Sequence, residues 1–285
     1  MSTLRLEQHA DEAVSLHCGD QLLCHYVYRS AVEAKEAPKP YFHPVKSLAG
    51  DTLTNFRPND HPWHHALSFT LNNVSGANFW GGPTCLQDGY KWRDDHGAQL
   101  HQAWRRLEAS GDTAVLEHSL EWKRLDEVLF REARAITIKV DVAEKSWTLH
   151  WQGQLTNVSG RALSLGNPSS RGGLKGSHYC GLQFRGAREF LDDHLDPSIK
   201  VLAGGGREGV DQVHGAVAEW MEWHGQLDTT LNRVVIRFTN HTGPLQWFMR
   251  RNYPLAAFPI QADEDLEVAA GADLVIDHSL TFSCA

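Results

Sequence analysis

Three histidines and an aspartate fall within six residues in Asp60-His61-Pro62-Trp63-His64-His65, just ahead of an apolar stretch. Imidazoles titrate near neutrality, move protons and ligate metals. Such a density therefore raises three chemistries: metal ligation, general acid–base work, or a polar core whose rings bond backbone carbonyls. His61 lies three residues before His64 and four before His65, spacings that would share a helical face. Pro62 and the following Ala66-Leu67-Ser68-Phe69-Thr70-Leu71 instead favour extended chain, in which His64 and His65 point to opposite faces. At most two of the three rings then meet at one centre. His61, His64 and His65 are the metal candidates, with Asp60 or a distant glutamate as the carboxylate of a Zn, Fe or Mn site. The cofactor expectation is either none or one divalent metal.

Other residues of the right type surround this cluster in sequence. His43, in Tyr41-Phe42-His43-Pro44-Val45, is a second His-Pro pair, stiffened towards extended geometry. Glu219 and Glu222, three apart in a strand-like run, face opposite ways, so one of them can enter a pocket and pair with a histidine. Glu219 is the carboxylate candidate. Arg57, Arg171 and Arg250 offer forked donors suited to carboxylates and vicinal hydroxyls. Asp60 and Trp63 complete the ligand-binding set, and tryptophan suits the flat C–H faces of sugar rings. For any one of the 10 tryptophans, burial in the core is the commoner role. No G-x-S-x-G elbow occurs, and Gly204-Gly205-Gly206 lacks the strand-then-helix setting of a nucleotide loop.

The elements that must position these groups alternate with a period of two. Leu116, His118, Leu120 and Trp122 share one face, as do Trp147, Leu149, Trp151 and Leu155. In the C-terminal run, Leu274, Ile276, His278, Leu280 and Phe282 form one row. Residues 231–238 and 216–223 also read as strands. This is the pattern of antiparallel sheets. Turn signals recur at 110–112, 157–160, 240–243 and 269–273. Short helices are expected only around Asp94–Leu100 and Leu191–Ser198. Two longer loops, Ser47–His64 with Ala34–Pro40 before it and Asn167–Ser177, are where binding residues tend to sit. The expected fold is all-β: one domain over 1–285 of two packed, many-stranded antiparallel sheets, with few short helices.

Bulk properties exclude several classes. The chain has 285 residues, a formal net charge of −8 and 17 histidines. No basic stripe suits a phosphate backbone, so nucleic acid is not an expected partner. The five cysteines form no CxxC pair, so neither a disulfide framework nor a cysteine zinc site is expected. No signal-peptide pattern opens the chain and no run of about 18 apolar residues occurs, so the expectation is a cytoplasmic protein without a membrane partner. The oligomeric state is left open.

Lys39–Gly82 resembles the bacterial family labelled "methane oxygenase PmoA". The pieces that carry the resemblance are PYFHPV, DHPWHH and NVSGANFW, with QWFMRRNYP further on. Where that family often has DHPHHRG, this chain has Trp63 at the variable position and Ala66 after His65, without the Arg-Gly. The resemblance implies a galactose-mutarotase-like supersandwich and an association with sugar metabolism. By analogy with mutarotases it implies a carboxylate that takes the anomeric proton and a histidine that protonates the ring oxygen. On that reading His61, His64, His65 and Glu219 are catalytic, and His43, Arg57, Asp60, Trp63, Arg171 and Arg250 orient a small sugar-like ligand. The expected function is a mutarotase, epimerase or lyase acting on a sugar or oxidised sugar. The alternatives are a histidine-ligated metal hydrolase, lyase or oxygenase, and a non-catalytic sugar-binding or regulatory protein.

Overall fold

The computed structural model describes residues 3–285. Its strands form two large sheets. One has eight strands, ordered Leu4–His9, Ala13–Cys18, Gln21–Val27, Tyr41–Val45, Leu67–Leu71, Cys180–Arg185, Leu255–Phe258 and Phe248–Arg250. The other has nine, centred on Asp273–Cys284 and Ser146–Asn157, with Glu127–Asp141, Thr113–Arg124 and Ala98–Ser110 continuing to one edge. Every pairing in both sheets is antiparallel. This is an all-β antiparallel supersandwich with few short helices.

The alternation in the sequence accounts for the sandwich. Along Thr113–Arg124 buried and half-buried residues alternate, and Leu116, His118, Leu120 and Trp122 all face inward. Aromatic rings from the two sheets meet across the gap: Phe42 with Trp151 at 6.2 Å, Phe69 with Trp122 at 5.7 Å, Phe184 with Trp223 at 5.8 Å. Five tryptophans, 122, 147, 151, 223 and 247, are fully buried. Each such ring buries roughly 150–250 Å².

Some expectations are corrected. Asp94–Leu100 is bend and strand rather than helix, because Gly97 and Ala98 lead straight into Ala98–Ser110. Leu191–Ser198 is a turn closed by the Asp192 carboxylate, which accepts from the backbone of His194 and Asp196. Among the described residues the helices are a single α-turn at Val210–Val213 and two 3-10 turns, Ala34–Glu36 and Arg188–Phe190. Residues 216–223 are not one strand, for the chain breaks at Glu219 between Val217–Ala218 and Trp220–Gln226. Leu274 is only half-buried.

One feature of the eight-stranded sheet positions the site. Leu67–Leu71 and Cys180–Arg185 are buried at every residue, so these strands are covered on both faces. The face away from the core carries Ser68, Thr70, Gln183 and Arg185; the register sets Ser68 opposite Gln183, Thr70 opposite Gly181, and Gln183 and Arg185 opposite Ala257 and Leu255. A second apolar cluster of Trp80, Tyr179, Phe248, Leu255 and Ala257 lies apart from the main core, with Trp63 and Tyr253 packed against it. The segments that form this second layer include the histidine run.

Candidate active site

Between these loops and the sheet lies a cavity of about 230 Å³, lined on one side by His61, Trp63, His64 and Trp80 and on the other by Tyr179, Arg250 and Tyr253. Local geometry explains how the histidines arrive there. A turn closes from His61 to His64, where the His64 amide donates to the His61 carbonyl at 3.0 Å. Phe56 then bridges to His65, and the chain enters Leu67–Leu71. The turn brings the rings of His61 and His64 to 4.8 Å, and the strand entry sends His65 the other way.

The opposite wall is a tyrosine–arginine group. The hydroxyls of Tyr179 and Tyr253 are in direct contact, and Arg250 Nε donates to Tyr253 Oη at 3.2 Å. Burial and the neighbouring Tyr253 hydroxyl hold the Tyr179 pKa well above the ordinary tyrosine value, so its proton stays on. Burial works against the Arg250 charge, but Tyr179 and Tyr253 outweigh it and raise its pKa. Behind Tyr253 the Arg185 guanidinium stacks at 4.2 Å from the ring, and burial draws its pKa down to about 10.

His64 is fully buried, and burial, with the Arg185 charge next, drives its pKa far below the ordinary histidine value. It is a neutral imidazole at physiological pH. Asp60 lies 3.1 Å from His61 Nδ1; burial raises the carboxyl pKa, but His61, a backbone donor and the Arg185 charge together bring it below the usual value. On the cavity wall His64 Nδ1 is buried without a hydrogen-bond partner, as are Thr70 Oγ1, Gln183 Oε1 and two nitrogens of Arg185 on the outer face of the sheet, outside the cavity lining. Buried polar groups are nearly always satisfied, so these atoms are exceptions to the rule.

The loop Asn78–Pro83 is built to let Trp63 pack. The Asn78 carboxamide accepts from the amides of Trp80 and Gly81, both at 2.9 Å. Gly82, at φ +70°, lies so close that a Cβ would fall 2.3 Å from the Trp63 indole. Lys39 pins the same loop from beneath: its buried Nζ donates to the carbonyls of Glu36, Ala37 and Trp80 at 2.7, 2.9 and 3.0 Å.

Of the residues singled out from sequence, His61, His64, Trp63 and Arg250 line the cavity, and Asp60 supports it through His61. The others do not join it. His65 is fully buried on the far side, its Nε2 3.1 Å from the Glu36 carboxylate, between Tyr41 and Phe56. Burial holds its pKa at about 3, so the neutral ring donates to an ionised Glu36. The three rings therefore do not form one metal-ligand set. Arg57 makes a bidentate pair with Glu36 at 2.7 and 2.9 Å. Arg171 pairs with Asp265 at 2.6 Å. His43 bonds Thr54 at 3.0 Å and stacks on Phe56. Glu219 is exposed at the strand break, and its backbone carbonyl accepts from Asn240. Glu222 is held by Arg237 and His224. Tyr179 and Arg185 were missed because single residues in buried strand entries carry no local signature. Trp80 and Tyr253 lie within quoted motifs, Asn-Phe-Trp-Gly-Gly and Arg-Arg-Asn-Tyr-Pro, where an aromatic beside loop-forming residues was the available signal.

An all-β sandwich with a histidine- and tyrosine-lined cavity on one outer face is the class of protein defined here. Residues 13–283 match DUF6807, a family of unknown function, and the chain belongs to that family. This match corrects the resemblance to the PmoA-labelled family: the segments that carried it all lie inside the matched region. Among the described residues, no helix is long and apolar enough to cross a membrane. No curated protein matches the chain.

Solved structures similar to it include a galactose 1-epimerase from Lactobacillus acidophilus, 8% identical, covering 100% of both chains with a TM-score of 0.43. A galactose mutarotase-like protein from Lactobacillus casei is 9% identical, with 98% of this chain and 99% of that one covered and a TM-score of 0.40. A GH36 alpha-galactosidase from Geobacillus stearothermophilus is 10% identical over 96% of this chain, with a TM-score of 0.44. The chain spans only 40% of that enzyme's length and 41% of the galactosidase domain of an alpha-galactosidase-sucrose kinase. The fold class rests on the sheets described above.

Proposed function

We propose that this chain is a carbohydrate-active protein that binds one sugar or oxidised-sugar ring in the cavity and acts on it as a mutarotase, epimerase or lyase. The observation that carries the reading is the pairing of two close imidazoles with an aromatic wall and an arginine around one cavity. Trp63 and Trp80 offer apolar faces with polar edges, as a pyranose requires. The volume of about 230 Å³ is below the roughly 300–1,000 Å³ of drug-sized pockets and suits a single ring.

His61, oriented by Asp60, is the proton-transfer group. Neutral His64, whose protonation burial opposes, holds a ligand hydroxyl by a hydrogen bond, and Tyr179 remains a donor. Arg250 takes a carboxylate or a vicinal diol. Glu219 has no part in this scheme, because Asp60 supplies the carboxylate beside a cavity histidine. The chain would work as one β-sandwich domain over 1–285 in the cytoplasm, on a small molecule, with no nucleic acid or membrane partner.

The test is proton NMR of anomer or epimer exchange across a panel of aldoses and sugar acids. His61→Gln should lower turnover by roughly 10²–10⁴-fold, the usual contribution of a general acid–base group. Unchanged turnover on a verified substrate removes the assignment. A second reading, ligand binding without catalysis, is favoured by the lack of a carboxylate among the cavity-lining residues described. It requires saturable binding with no product between about pH 5 and 9, where histidine titrates.

A further inference from the structure

A second cluster with chemistry lies on the outer face of the nine-stranded sheet, in neither the cavity nor the core. His150 and Gln152 project outward from Ser146–Asn157, and Asp277 and Ser279 project beside them from the neighbouring Asp273–Cys284. The register places His150 opposite Ser279 and Gln152 opposite Asp277. His241, in the turn after Arg233–Asn240, folds back over the pair; its amide donates to the Asp277 carbonyl at 2.9 Å. One ligand atom from each of His150, His241 and Asp277 lies within 4.8 Å of the other two.

We propose that His150, His241 and Asp277 bind a divalent transition-metal ion, of the Zn²⁺, Co²⁺, Ni²⁺ or Cu²⁺ class. Two imidazoles and one carboxylate form a donor set for such ions rather than for Ca²⁺ or Mg²⁺, which prefer all-oxygen shells. Asp277 and His241 are each already oriented by a further partner, as metal ligands commonly are. The second Asp277 oxygen accepts from Gln152 Nε2 at 3.0 Å. His241 Nε2 lies 2.9 Å from Ser279 Oγ, which leaves Nδ1 for the ion. Asp277 Oδ1 and His150 Nε2 are 2.6 Å apart. An ion with bonds of about 2.0–2.2 Å would replace the shared proton and widen that gap to roughly 3 Å. His150 is half-buried and His241 exposed, so both rings can make that adjustment and water can fill the remaining positions. The ion would tie the 240–243 turn to two sheet strands, so its expected role is structural.

The test uses untagged, chelator-stripped protein titrated with Zn²⁺ alone against a chromophoric competitor, and with Co²⁺ followed by its visible absorption. One equivalent should bind in the low micromolar range or tighter and raise Tm. His150→Gln and Asp277→Asn should each weaken binding at least about tenfold. His241→Ala, at an exposed turn residue, should do the same without affecting folding, as near-UV circular dichroism would verify. A His61→Gln/His64→Gln double variant should keep the site. Absence of saturable binding, or binding of equal tightness in the His241→Ala variant, would overturn the proposal.

Discussion

At the scale of single residues, the histidines divide by environment rather than by position in the sequence. His61 and His64 face a cavity, His65 donates to the buried Glu36 carboxylate, and His278 lies in the core stacked 4.4 Å from Phe258 with neither ring nitrogen bonded. A buried imidazole without partners pays for lost hydration and gains nothing specific. His278→Leu is therefore expected to leave the melting temperature at pH 7.5 unchanged or higher, as calorimetry would show; a clear drop would mean an unrecognised partner. Lys39 is the opposite case. Replacing it with Met strands three buried carbonyls, each worth about 1–3 kcal/mol when unsatisfied. Lys39→Met should lose about 3 kcal/mol or more in urea unfolding, and a loss under 1 kcal/mol would contradict the clamp.

At the scale of elements, the long strands of the nine-stranded sheet were legible because each buries one face, and alternation records that directly. Thr113–Arg124, Ser146–Asn157 and Asp273–Cys284 are the clearest. The eight-stranded sheet hides its central strands, because Leu67–Leu71 and Cys180–Arg185 are buried on both faces and show no alternation. The site was half-legible for the same reason. A dense histidine run announces itself, but the chain after Pro62 turns rather than extends, and the strand entry at His65 is what separates it from His64. Tyr179, Tyr253 and Arg185 come together only through sheet register and a distant turn, which no local pattern encodes. Loop geometry yields its own prediction. In Gly82→Ala the new Cβ meets the Trp63 ring, and the positive φ adds roughly 1–2 kcal/mol of backbone cost. Ligand affinity and stability should both fall; an unaltered affinity would show that Trp63 does not contact the ligand.

At the scale of the whole molecule, the buried histidines set the response to acid. Burial lowers the pKa of His65 and His278 to about 3 and of His43 to about 4, against 6.5 for the free side chain. The folded protein keeps these rings neutral, whereas the unfolded chain takes up protons below about pH 6.5. Their contribution to stability is thus complete above pH 6.5 and is lost progressively as the pH falls towards 4 and then 3. Each such group contributes up to about 1.4 kcal/mol per pH unit within that window. Melting temperature should fall steadily from pH 6.5 to 4.5, and His278→Leu should flatten the slope. A flat profile across this range would contradict the neutral-core assignment.

The central claim is that the cavity of His61, His64, the tryptophans and Arg250 holds a sugar-type ring. Saturation-transfer NMR of mixed neutral sugars and sugar acids, run on the wild-type chain and on Arg250→Ala, tests it most directly. The account predicts transfer to at least one ring compound in the wild type and its loss in the variant. Transfer to none of them, or transfer that survives the substitution unchanged, would contradict it.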